Sequence, residues 1–265
     1  DSKITVLGGG LMGHAIAYVF ASVGHQVSVF EPEKEARDTL IERIFRISES
    51  LETKDFEIQN ILVSDSLEKS LKQNGFSTDD ITDVFLTHLH FDHCGGSVKW
   101  NNDKTDFELT FKNANYWSNK KHWEWAKNPN SREKASFLKE NIMPIENSGK
   151  LKFVENEGKL FNNFHTFFVN GHTEAQMIPK IQYQDKTIVF MADLLPSIGH
   201  IPLPYVMGYD IRPLVTLTEK EFFLKEAAKK EFILFLEHDY NHECCTVKMT
   251  EKGVRLKDTF SLNKI

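Results

Sequence analysis

The run His88-Leu89-His90-Phe91-Asp92-His93 restricts this chain more than any other stretch, because four cation-binding side chains fall within six residues. It follows directly on the apolar segment 81–86. In an extended backbone alternate residues point to one side, so His88 and His90 share a face, while Asp92 and His93 come round on the next turn. The four groups can therefore converge around two cations. Neutral imidazole and carboxylate suit zinc, with iron, manganese or cobalt as further options.

Two cations about 3.5–4 Å apart need further ligands, and a bridging carboxylate is the simplest way to hold like charges together. The chain offers three candidates, each at the end of an apolar segment that reads as a strand. His172, in Gly171-His172-Thr173, follows 164–169; Asp193 ends 187–192; and His238, in Glu237-His238-Asp239, ends 232–236. Loops at strand ends are where functional side chains are presented. Helices are expected at about 132–142 and 219–230.

The first third has a different texture. Residues 3–7 read as a short buried strand, 11–22 as a helix, 26–30 as a second strand, 32–51 as an amphipathic helix and 58–63 as a third strand, with Ser66 capping a short helix. Between the first strand and helix, Gly8-Gly9-Gly10-Leu11-Met12-Gly13 fits G-x-G-x-x-G. Gly8 permits the tight turn, Gly10 lets a pyrophosphate approach the backbone, and Gly13 lets helix and strand pack closely. Glu31 stands after the second strand, where a carboxylate can accept hydrogen bonds from a ribose diol, which favours NAD over NADP.

These residues carry two resemblances. The glycine turn, Gly24-His25-Gln26-Val27, Phe30-Glu31 and the stretch 60–71 resemble the NAD-binding start of 3-hydroxyacyl-CoA dehydrogenases; no segment downstream matches that family's catalytic residues. From about Ser66 onward the pattern resembles the metallo-β-lactamase superfamily, and residues 192–196 and 200–205 resemble its branch that includes quorum-quenching N-acyl-homoserine-lactone lactonases. Together they imply an α/β chain. A partial Rossmann-like βαβ unit over 1–65 precedes an αββα sandwich over 66–265 that lacks its usual N-terminal strands.

The second resemblance implies that His88, His90 and His172 hold one metal, Asp92, His93 and His238 the other, and that Asp193 bridges them. It implies hydrolysis of an ester-like bond, a lactone first, by a hydroxide bridging two divalent ions, zinc being the expected metal, with Asp92 passing a proton to the leaving oxygen. His200, seven residues past Asp193, is a candidate proton donor or carbonyl polariser. Tyr205 is a weaker candidate. Trp100, Tyr116, Trp117, Trp123 and Trp125 read as core, with an acyl-chain groove as the alternative. His122 lies among Trp117, Trp123 and Trp125, and His165 and His242 show no partner pattern.

Composition narrows the partners. A formal charge of −6 over 265 residues argues against a phosphate-tracking nucleic-acid surface, leaving a small molecule as the expected substrate. Cys94, Cys244 and Cys245 cannot form a disulfide framework and read as buried thiols of a reducing compartment. The apolar run 4–23 is broken by glycines and lacks a basic flank, so neither a signal peptide nor a membrane span is expected, and the cytoplasm is the expected location. Two other functions stay open behind the hydrolase: a non-catalytic fusion with neither site complete, and an NAD-binding module.

Overall fold

The computed structural model describes residues 3–7, 17, 21, 26–31, 34–50, 61–64, 69, 71–72 and 75–265. Two compact units divide the chain, Asp1–Ile81 and Thr82–Ile265. The expected Gly8, Gly10 and Gly13 turn, the cap at Ser66 and most of the helix 11–22 lie outside the described residues.

In the first unit β1 (Lys3–Leu7), β2 (Gln26–Phe30) and β3 (Ile61–Ser64) form a parallel sheet with β2 in the centre. Parallel neighbours need a crossover. Between β2 and β3 it contains α1 (Lys34–Asp38) and α2 (Leu40–Ser50). Leu40 and Ile44, one turn apart on α2, are fully buried, while Glu42 and Arg46 pair at 2.5 Å on its exposed side. Ala17 and Ala21, also four apart, are helical and buried. The order of strands and helices is that of the expected βαβ unit.

The second unit is built on two main sheets. Three parallel strands, β4 (Asp83–Phe85), β7 (Asn115–Ser118) and β8 (Leu151–Phe153), make the smaller one in the order β4-β7-β8. A hairpin of β5 (Val98–Trp100) and β6 (Phe107–Leu109) stands apart from it. The larger sheet runs β15-β14-β13-β12-β11-β10-β9. Its strands are β9 (Gly158–Phe161), β10 (Phe164–Val169), β11 (Gln176–Tyr183), β12 (Lys186–Phe190), β13 (Ile233–Phe235), β14 (Cys244–Thr250) and β15 (Gly253–Phe260). Aromatic pairs join the two sheets: Phe85 meets Phe164 with centroids 5.0 Å apart, and Trp117 meets Phe161 at 5.3 Å.

Four helices complete this unit: α3 (Phe91–Cys94), α4 (Lys120–Lys127), α5 (Lys139–Asn147) and α6 (Pro213–Lys230). Helix α6 links parallel neighbours β12 and β13 and buries Phe223, Leu224 and Ala227 against Ile178, Val189, Leu234 and Val247 of the large sheet. Tyr116 and Trp123 are fully buried, as the core reading required, whereas Trp100 is 52% exposed and stacks on Phe107.

The helix expected over 32–51 is broken at Thr39 into α1 and α2, and three further departures from the sequence reading each have a local reason. Helix α6 begins at Pro213 rather than near 219, because proline at the first helical turn lacks only an N–H that would be unpaired anyway. The segment expected as a helix over 132–142 is instead a turn followed by α5. There Asn130 Oδ1 accepts the amides of Arg132 at 2.8 Å and Glu133 at 3.1 Å, closing a turn that sends Glu133 inward. Strand β12 stops at Phe190, and Ala192 takes φ 40°, so Asp193 leaves from a tight turn instead of a strand end.

All three cysteines are free and buried. Burial pushes each thiol up to about 12. At pH 8 a thiol-specific disulfide reagent is expected to label none in the native protein and all three after denaturation. Because a raised thiol pKa favours the folded state only while the unfolded thiol is protonated, their contribution is full below about pH 9 and is lost as pH rises towards 12.

Candidate metal centre

The topology brings the candidate residues to one edge. Strand β10 is antiparallel to β11, β11 antiparallel to β12, and β12 parallel to β13, so β10, β12 and β13 run the same way. Their C-terminal ends deliver His172, Asp193 and His238. His88 and His90 arrive after β4 on a short extended segment, and α3 then carries Asp92 and His93. Main-chain bonds fix that segment: Thr87 O accepts Met177 N at 2.8 Å, and Phe91 N donates to Ser136 O at 2.9 Å.

The His172 loop is held by α6. Glu219 accepts the amides of Asn170 at 2.7 Å and Gly171 at 3.0 Å, and the amides of Ile211 and Arg212 donate to the carbonyls of His172 and Gly171. A Cβ at Gly171 would overlap the backbone of Thr216, so only glycine permits this approach.

At the centre lies the Asp193 carboxylate, 4% exposed. Its Oδ2 is 3.0 Å from His172 Nε2, 3.2 Å from His93 Nε2 and 3.4 Å from His88 Nε2, and its Oδ1 is 3.1 Å from His238 Nε2. His90 Nδ1 stands 3.1 Å from His172 Nε2. The donor atoms of His88, His90, His172 and Asp193 lie within 4.8 Å of one another, and those of Asp92, His93 and His238 form a second such group. The structure thus brings together the same residues that the second resemblance assigns to each metal. Asp92, the most exposed member, has its Oδ2 3.4 Å from His93 Nε2.

The donor set fits divalent cations. In each group two imidazole nitrogens face each other, His90 with His172 at 3.1 Å and His93 with His238 at 3.3 Å, an arrangement that needs either a proton or a cation between them. His88 Nε2 and Asp193 Oδ1 are buried without a hydrogen bond of good geometry, which is costly in a dry interior.

Three further carboxylates back the imidazoles, and the sequence reading missed them. Asp210 hydrogen-bonds His172 Nδ1 at 3.0 Å, Glu237 lies 3.2 Å from His93 Nδ1, and Glu133 lies 3.4 Å from His90 Nε2. Glu237 at least neighbours His238 in sequence; Glu133 and Asp210 sit in no motif. Such partners fix the ring orientation and basicity of a ligating histidine.

The same balance of charge governs the ionisation of each group. Burial opposes ionisation of Asp193, yet the close imidazoles of His172, His238, His88 and His93 hold it well below the usual carboxylate range. Against burial, contacts with Asp193, Asp92 and Glu237 push His93 up to about 12, and Asp193 and Asp210 push His172 up to about 9. Burial and the neighbouring His93 lower His88. Despite burial, His90, Thr173, Trp125 and Asn130 pull Glu133 down to about 2.

The remaining candidates lie as follows. His200 is half-buried with Nδ1 2.8 Å from Ser197 Oγ. Tyr205 is 61% exposed. His242, expected to be unpartnered, lies 3.0 Å from Asp239. Glu31 follows β2, is buried, and accepts Arg37 Nη1 on its carbonyl at 2.8 Å; the glycines expected to share its nucleotide lie outside the described residues.

Glu133→Gln and Asp210→Asn are expected to weaken zinc binding about 10- to 100-fold, read by competition with a chromogenic chelator. Affinity is expected to rise from pH 7 to 9, since His172 must give up a proton to ligate and holds it until about pH 9. Unchanged affinity in both variants would count against the backing role.

The sequence model of the metallo-beta-lactamase superfamily matches residues 51–238, and that of the 3-hydroxyacyl-CoA dehydrogenase NAD binding domain matches residues 3–84. An N-acyl homoserine lactonase of Bacillus thuringiensis is 23% identical over 188 residues, 68% of this chain; the chain spans 64% of that relative's length. A probable metal-dependent hydrolase from Staphylococcus aureus shares the fold with a TM-score of 0.63 at 23% identity, covering 74% of this chain and 69% of that one. A dizinc quorum-quenching lactonase, solved with an N-hexanoyl-L-homoserine product, aligns with a TM-score of 0.61 at 28% identity over 74% of this chain and 70% of its own.

Proposed function

The chain belongs to the metallo-β-lactamase superfamily, and we propose that it is a binuclear metallohydrolase that opens a lactone, with zinc as the metal. The observation that carries this reading is the Asp193 carboxylate set among four imidazole nitrogens at 3.0–3.4 Å. His88, His90 and His172 would hold one ion, Asp92, His93 and His238 the other, and Asp193 both, since its two oxygens face different histidines. When bound, such a pair supplies Lewis acidity towards a carbonyl oxygen and lowers the pKa of water to roughly 7.

The protein's own groups do the rest. Asp92, with its side chain 46% exposed, is reachable from solvent. Its carboxylate accepts the proton of the attacking water and returns it to the leaving alkoxide oxygen, so no separate acid is needed. Burial and the Lys220 ammonium lower His200 from the ordinary imidazole value, which favours the neutral ring. With Nδ1 engaged by Ser197, its Nε2 is the atom assigned to the substrate carbonyl. The lactonase relatives favour an acyl homoserine lactone as the first compound to try.

The test pairs metal analysis of the purified chain with hydrolysis of a long-chain acyl homoserine lactone. About two zinc equivalents per chain are expected, with activity lost on chelation, restored by zinc, and reduced at least about 100-fold in His88→Ala. Full activity in metal-stripped protein, or in His88→Ala, overturns the reading.

A further inference from the structure

Two chain segments carry the three histidines of the first group: His88 and His90 lie on residues 87–90, and His172 lies on the loop after β10. They are far apart in sequence, and in the folded chain a single buried imidazole spans them. His122, 1% exposed, comes from the first turn of α4. Its Nε2 accepts the amide of Leu89, the residue between His88 and His90, at 2.8 Å. Its Nδ1 donates to the carbonyl of Glu174, two residues past His172, at 2.5 Å. An amide can only donate and a carbonyl can only accept, so the pair of bonds selects the neutral Nδ1–H tautomer.

Helix α4 is itself held where it must be to do this. Asn119 caps it, accepting the amides of Lys121 at 2.8 Å and His122 at 3.4 Å, and its Nδ2 donates to Val154 O at 3.3 Å. Two other links join the same segments. Glu133 lies between His90 Nε2 and Thr173 Oγ1, at 3.4 Å and 2.6 Å, and Met177 N bonds Thr87 O. The His122 link differs from the Glu133 link because both of its ends are main-chain groups. Without it a buried N–H and a buried C=O lose their partners together.

We propose that His122 is a positioning residue that docks the His88–His90 segment against the His172 loop and so assembles the three-histidine face before any cation arrives. The proposal rests on the metal-centre reading above. It assigns to the histidine in Lys-Lys-His-Trp-Glu-Trp a function that touches neither substrate nor cation.

The experiment compares the parent chain with His122→Phe, which keeps a ring of similar size but removes both bonds, and with His122→Gln, which retains an acceptor and a donor. Zinc affinity is read by chelator competition, and amide exchange of peptides covering residues 85–94 and 170–177 is read in zinc-free protein. His122→Phe is expected to weaken zinc binding at least about tenfold, to speed exchange in both peptides, and to be rescued in part by His122→Gln. A folded His122→Phe that binds zinc within about twofold of the parent, with exchange unchanged, overturns the proposal. Should His122→Phe fail to fold, the parent decides: rapid exchange at Leu89 in zinc-free protein overturns the proposal, and protection supports it. A parent that binds no zinc overturns the hydrolase reading, and protection of Leu89 still judges the brace by itself.

Discussion

The second unit is organised around a concentration of like groups that would be unstable without a positive charge. Asp193 is buried among His88, His93, His172 and His238, and pairs of imidazole nitrogens face each other at 3.1 and 3.3 Å. Such a cluster is tolerated in a dry interior only when opposing dipoles or ions compensate it. Here protons on His93 and His172 do so in the cation-free chain, and two divalent ions would do so more completely. Asp210, Glu237 and Glu133 add negative charge behind the rings, which favours positive charge among them, whether protons or cations.

Geometry of this kind needs a rigid frame. The frame comes from strand direction: β10, β12 and β13 run in parallel, so His172, Asp193 and His238 leave from the same edge. Helix α6 has two tasks in it. It buries Phe223, Leu224 and Ala227 on the large sheet, and its first turns clamp the His172 loop through Glu219 and the close approach at Gly171. Lys220 on the same helix, buried with Nζ 2.9 Å from His200 O and bonded to Tyr205 O, ties down the segment that carries His200. The strain at Ala192, φ 40°, falls one residue before Asp193, where the turn must swing the carboxylate inward.

Much of this was legible in the sequence because ligand chemistry is local in part. His88, His90, Asp92 and His93 lie on one short segment, so alternation and a turn were enough to place them together. His172, Asp193 and His238 were legible because each follows an apolar strand. Glu133 and His122 were not. Their partners, His90 and Thr173 in one case and the backbone of Leu89 and Glu174 in the other, come from other parts of the chain, and nothing in a window around either residue marks it.

The chain by itself marked the histidines and carboxylates able to bind a cation and much of the order of strands and helices, since these follow from side-chain chemistry, spacing and apolar periodicity; their division into two sets came only with the family resemblance. Only the folded chain decided which carboxylates stand behind which imidazoles, where α6 begins, and how Asp193 turns inward. Those outcomes depend on contacts between residues distant in sequence, and an isolated stretch of chain has no means of encoding which partner packing will bring to it.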